Sequence, residues 1–128
     1  MSSRKTILVV DDDPTILNML AATLETSYDV LKAADGVAAA YVYEDNIETV
    51  AAIVTDLEMP RLNGQSLAEW VHHLRPRLPV IIISGRIRTR HSEDCSQAPM
   101  TRFLGKPFEP ARLEALLDDA LANSSAAA

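Results

Sequence analysis

Asp11, Asp12 and Asp13 form an unbroken acidic triplet directly after an apolar run, and Asp56 closes a second such run. Ser84-Gly85 closes a third, and Lys106 follows a short one built on Phe103 and Leu104. Carboxylates gathered in one place repel, since two unit charges 4 Å apart cost ~4 kcal/mol at an effective dielectric of ~20. A hard divalent cation removes that conflict, and Mg2+ is the usual choice where carboxylates, waters and a phosphate oxygen share one octahedral shell. Lys106 adds a positive charge able to pair with Asp56 and later with a phosphate. Ser84 adds a hydroxyl donor, and Gly85 leaves the backbone open to close approach. Brought together, these residues suit phosphoryl transfer onto a carboxylate, where catalysis is mainly positioning and charge neutralisation.

The elements between them alternate strand and helix. Thr6–Val10 reads as a buried strand, after which Pro14 opens a helix capped by Asp13, with Ile16, Leu17, Leu20 and Leu24 as its apolar face. Tyr28–Ala33 reads as a second strand, Gly36 as a break, and Val37–Glu44 as a helix. Val50–Thr55 is a third strand ending at Asp56. Pro60 and Gly64 bound a loop, and Leu67, Trp70, Val71 and Leu74 face the next helix inward until Pro76 stops it. Val80–Ile83 and Arg102–Leu104 are the last two strands, and the apolar spacing of Leu113, Leu116, Leu117, Ala120 and Leu121 predicts a final helix over 110–122. Five such units imply an α/β domain with a parallel sheet covered by helices on both faces. Ligands of such sheets bind beyond the carboxyl ends of the strands, which is where Asp11, Asp12, Asp13, Asp56, Ser84, Gly85 and Lys106 fall.

Four motifs in order carry a resemblance: Ile7-Leu8-Val9-Val10-Asp11-Asp12-Asp13-Pro14, Asp56-Leu57-Glu58-Met59-Pro60 with Gly64 beyond it, Ile82-Ile83-Ser84-Gly85, and Phe103-Leu104-Gly105-Lys106-Pro107-Phe108. Together they resemble the receiver domain of response regulators in two-component signal transduction, over residues 5 to 122. The resemblance implies a doubly wound, flavodoxin-like sheet of strand order 2-1-3-4-5. It implies Asp56 as phosphoacceptor; Asp11, Asp12, Asp56 and the backbone carbonyl of Glu58 as Mg2+ ligands; and Ser84, Gly85 and Lys106 as the phosphate-binding group. Ser84 and Phe103 would be the switch pair, and the bond before Pro107 would be cis. The partners implied are a sensor histidine kinase or histidine phosphotransfer protein upstream and an unknown downstream protein. Such a domain is a phosphoacceptor, not an enzyme acting on a separate substrate; its own chemistry is self-phosphorylation from phosphodonors and self-dephosphorylation.

The opening also resembles the D-x-D-x-T motif of haloacid-dehalogenase-type phosphatases, with Asp11 as nucleophile and Asp13 as general acid. That reading leaves the Asp56-x-x-Met59-Pro60 run unexplained and lacks a later acid pair after another strand. A third reading is a receiver-like interaction module that is never phosphorylated, against which the full set of site residues stands.

Blander roles fit other residues. Asp13 reads as a helix cap, Trp70 as core, and Phe103 either as core or as the switch aromatic. His72 and His73 are adjacent and so point apart on a helix. His91 is isolated and Cys95 lies in a polar stretch, while Arg86, Arg88 and Arg90 read as a solvated loop. Thr89–Gln97 has almost no apolar residue, so the helix expected there should be short or irregular. Pro99 and Met100 replace the small Gly-Ala step usual before the fifth strand of receiver domains.

The 128 residues suit one domain, organised as a short extension over 1–5, a receiver unit over 6–122 and a frayed tail over 123–128. The formal charge of −6 argues against direct nucleic-acid binding, and no apolar run is long enough for membrane insertion. A single cysteine and no apolar leader predict a cytoplasmic chain.

Overall fold

The computed structural model describes residues 4–85 and 100–126, with side chains to Ala122. Five strands and, among the described residues, four helices follow in order: β1 (Thr6–Val10), α1 (Pro14–Glu25), β2 (Asp29–Ala33), α2 (Gly36–Asp45), β3 (Val50–Asp56), α3 (Gly64–Leu74), β4 (Val80–Ser84), β5 (Thr101–Gly105) and α4 (Pro110–Ala126). The strands are parallel throughout and lie in the order β2-β1-β3-β4-β5. This is the order the resemblance implied.

Every residue of β1 and β4 is buried, which is why these strands read as continuous apolar runs without polar alternation. Alternate residues feed two cores. Ile7, Val9, Val54, Ile81 and Ile83 pack with Leu17, Leu20 and Leu24 of α1 and with Leu113, Leu117 and Leu121 of α4. Leu8, Val10, Ile53, Val80 and Ile82 pack on the other face with Ala39 and Tyr43 of α2 and with Leu67 and Val71 of α3. Each such fully buried aliphatic contributes roughly 1.5–3 kcal/mol. The two clusters therefore hold the strand ends rigidly where the polar residues emerge.

Several boundaries differ from the sequence expectation for local reasons. Gly36 does not break the chain. It is the first residue of α2, behind Asp35, whose carboxylate accepts from Ala38 N at 2.7 Å. Gly64 likewise begins α3, capped by Asn63, so the loop it was expected to bound ends one residue earlier. Leu74 is 46% exposed, not buried; Ala68, with Leu67 and Val71, completes the inner face of α3. Tyr28 precedes β2 and is buried against the α1–α4 core. The tail expected to fray from Asn123 is helical to Ala126, there being no proline or glycine to end α4. Arg4, assigned to an extension, donates to the carbonyls of Glu25 and Tyr28 and ties the start of the chain to the α1–β2 turn. The expectations for Arg86, Arg88, Arg90, His91, Cys95 and Thr89–Gln97 lie outside the described residues.

Candidate functional site

Strand register decides which side chains meet. Val10 pairs with Thr55, so the next residues, Asp11 and Asp56, emerge side by side from β1 and β3. Asp56 pairs with Ile83, leaving Ser84 one step beyond it, and Ser84 pairs with Gly105, leaving Lys106 one step beyond that. The staircase rises across three strands and ends with the lysine reaching back: Lys106 Nζ lies 3.3 Å from Asp56 Oδ1. Carboxylate oxygens of Asp11, Asp12 and Asp56 all lie within 4.8 Å of one another.

The environment of this cluster is unfavourable to charge. Asp11 and Asp56 are 2% and 8% exposed. Burial pushes the Asp11 carboxyl above the ordinary carboxylate range; a hydrogen bond from Asp13 N at 2.9 Å opposes this, and the Asp56 charge adds to it. Burial also raises Asp56, against the pull of Lys106, with Asp12 adding repulsion. One lysine thus offsets three carboxylates only in part. An all-oxygen set of this kind fits a hard divalent cation, with Asp12, the exposed member, leaving room on the solvent side.

Asp13 does not join the cluster. Its carboxylate accepts from Thr15 N at 2.9 Å and Ile16 N at 3.4 Å, capping α1 as its position before Pro14 predicted. The general acid that a phosphatase would need is therefore held at the helix end. Ser84 is 1% exposed at the site, and its carbonyl accepts from Lys106 N at 2.9 Å. Gly85 is exposed, and a Cβ there would meet nothing within 4 Å, so its openness is not forced by packing among the described residues. Phe103 sits beside Ile82, half-buried against the α2–α3 core. Glu58 is exposed in the loop after β3. The Lys106–Pro107 bond is cis. His72 and His73 share no partner: His72 Nε2 donates to Leu78 O at 2.8 Å, and His73 is exposed.

Two structural features of the β3–α3 connection escaped the sequence reading. Thr55 is fully buried and its hydroxyl donates to the Asp56 carbonyl at 2.9 Å. Gly64 packs so closely that a Cβ would lie 2.5 Å from that same carbonyl oxygen. Only the recurrence of a glycine soon after Asp56 signalled it.

Comparison with known proteins bears on the family and the fold. The family model described as "Response regulator receiver domain" matches residues 7–118. The transcriptional regulatory protein GlrR of Escherichia coli K12 is 32% identical over 122 residues, covering 94% of this chain and 27% of that protein. A chemotaxis protein CheY homolog of Campylobacter jejuni is 31% identical over 123 residues, covering 93% and 94%. A response regulator receiver domain protein of Clostridium thermocellum superposes with a TM-score of 0.89 at 24% identity, covering 97% and 99%, which speaks for the fold. The chain thus spans about a quarter of the length of GlrR and nearly all of the CheY homolog. Nothing found supports the phosphatase reading. No described helix is long and apolar enough to cross a membrane.

Proposed function

Because this chain belongs to the response regulator receiver domain family of two-component signalling, we propose that Asp56 accepts the phosphoryl group and that Asp11, Asp12, Asp56 itself and the Glu58 carbonyl hold Mg2+ there. The observation that carries this reading is the contact of Asp56 Oδ1 with Lys106 Nζ at 3.3 Å, inside a group of carboxylates within 4.8 Å. Receiver domains take their phosphoryl group from histidine kinases or phosphotransfer proteins. In that step a bond forms from an Asp56 oxygen to phosphorus. The bond from phosphorus to the donor histidine nitrogen breaks, and the nitrogen keeps the electron pair. Bound Mg2+ supplies charge neutralisation for the phosphate and the carboxylates.

The rest is done by the chain. Asp56 is held by its own carbonyl, fixed between Thr55 and Gly64, so its carboxylate faces the cluster without a search of backbone conformations. Lys106 pairs with Asp56 at rest and with phosphate afterwards. Ser84 closes on the phosphate, and Phe103, half-buried, follows it inward. The same site supports self-phosphorylation from small phosphodonors and slow self-dephosphorylation. We place the chain in the cytoplasm, where a phosphorylated histidine partner is met; the altered surface is read by the downstream protein.

The test is mass spectrometry after incubation with acetyl phosphate. One acid-labile phosphoryl group should appear on Asp56, only with Mg2+ present, and Asp56→Asn should abolish it. Label on Asp11 would overturn the assignment, as would undiminished labelling of the Asn variant.

A further inference from the structure

We propose that Gly36, at the start of α2, is a positioning residue for the loop that follows Asp56: by carrying no side chain it lets the Leu62 backbone seat against α2, and that seat sets the distance between the two halves of the metal site. The inference rests on the reading of Asp11, Asp12 and Asp56 as a Mg2+ site, and it concerns what holds those residues in register.

The two halves come from different parts of the chain. Asp11 leaves β1, and its N–H donates to Ala33 O at 3.2 Å, the last residue of β2. Asp56 and Glu58 belong to the β3–α3 connection. Gly36 follows Ala33 by three residues, and there the two parts touch: a Cβ on Gly36 would lie 2.3 Å from Leu62 O and 2.7 Å from Leu62 Cβ. Real Cβ atoms do not approach a carbonyl oxygen so closely, so any side chain at Gly36 must move backbone.

Neither side yields easily. Asp35 fixes the first turn of α2, its carboxylate accepting from Ala38 N at 2.7 Å and its carbonyl from Ala39 N at 2.9 Å. On the other side Leu62 N donates to Pro60 O at 2.8 Å, and Gly64 N donates to Leu57 O at 2.9 Å, closing the loop on itself. Gly64 in turn abuts the Asp56 carbonyl. The loop is therefore clamped at both ends by glycine contacts, Gly36 on Leu62 and Gly64 on Asp56. Pushing at Leu62 moves the segment carrying Glu58 relative to Asp11 and Asp12. Mutating groups that orient metal ligands typically costs roughly ten- to a hundredfold in metal affinity, and Gly36 acts on the ligands in the same indirect way.

The experiment compares the full chain with Gly36→Ala, measuring the Mg2+ dissociation constant of the unphosphorylated protein by calorimetry and the rate of acetyl phosphate labelling. Mg2+ binding should weaken by roughly tenfold or more, and labelling should recover at saturating Mg2+. A residue needed only for stability would lower the melting midpoint and leave the Mg2+ affinity of the folded variant unchanged, and that result overturns the proposal. A second measurement stands if the variant does not fold. In the wild type, adding Mg2+ should shift the amide resonances of Gly36 and Leu62, and unmoved resonances overturn the proposal equally. Failure of the wild type to bind Mg2+ would bring down the metal-site reading and this one together. Normal binding in both proteins brings down this one alone.

Discussion

At the amino-terminal edge of the sheet, side-chain donors meet backbone carbonyls. Arg75 Nη1 donates to Ile47 O and Val50 O, both at 2.9 Å, and His72 closes on Leu78 O. Arg75, just past α3, thus ties the α3–β4 connection to the α2–β3 connection and to the first residue of β3. At the carboxyl-terminal edge the arrangement is reversed. Asp11 and Asp56 are buried beside each other and beside Asp12, with Lys106 as partial compensation. The same sheet thus holds one end in which charge satisfies backbone and another in which carboxylates repel one another, a conflict that a cation would offset. The difference is physical: cost is concentrated where a ligand can repay it, and the scaffold that bears it is stabilised at the far end.

If that division is right, the two ends respond oppositely to mutation. The largest effect on stability should come from Arg75→Met. Hydrogen bonds from a charged donor are worth about 1.5–3 kcal/mol each, and losing the guanidinium leaves two carbonyls without it. We expect a loss of about 3 kcal/mol, read by urea unfolding, with the Mg2+ affinity and labelling rate of the folded protein unchanged. Altered labelling would break the separation of the ends.

The site end should show the opposite sign. Burial raises the carboxyls of Asp11 and Asp56, so the folded protein binds their protons more tightly than the unfolded chain. Their contribution to stability is then fully present below the ordinary carboxylate range, near pH 4, and is lost as pH rises through the raised values. Metal-free protein should therefore lose stability as the pH is taken from about 4 toward neutrality, and saturating Mg2+ should restore it. Asp11→Asn keeps an oxygen for Asp13 N and removes one charge. It should flatten that slope and stabilise the metal-free protein at neutral pH by on the order of 1 kcal/mol, while weakening Mg2+ binding. Thermal melts across pH, with and without Mg2+, check this; a destabilised Asn variant at neutral pH would mean the carboxylates are not in conflict.

These two ends were unequally legible in the sequence. Strands buried on both faces give unbroken apolar runs, and the acids and lysine that follow Val10, Thr55 and Gly105 stand out against them, so the sheet and the members of the site could be read from spacing. The amino-terminal edge could not. Nothing marks Arg75 as a bridge except the proline after it, which disfavours helix and turns the residue to φ −139° and ψ 90°, aiming its side chain back toward β3. Glycines misled for a related reason. Gly36 and Gly64 looked like breaks or loop markers, because a sequence shows the missing side chain and not the backbone, Leu62 or Asp56, that fills its place. Leu74 fitted the apolar period of α3 yet lies in the last turn, past the reach of the core, where periodicity continues but burial does not.

The smallest effect should come from the loop that joins the comparison to the proposed clamp. Arg61 adopts φ 71°, the only non-glycine residue with positive φ among those described. A left-handed conformation costs an ordinary residue roughly 1–2 kcal/mol, and glycine removes that cost but loses about 0.5–1 kcal/mol through its greater freedom when unfolded. Arg61 is exposed, so its side chain adds no core packing to the balance. Arg61→Gly should therefore stabilise the protein by only about 0.5 kcal/mol, a small upward shift in the melting midpoint. Because glycine keeps the same backbone conformation, Leu62 should stay seated on Gly36 and the Mg2+ affinity should hold within about twofold. Gly36→Ala and Arg61→Gly thus touch opposite sides of one contact, and only the first should move the metal. Should Arg61→Gly also shift Mg2+ affinity, the loop would be held by the strain at Arg61 and not by its seat on α2.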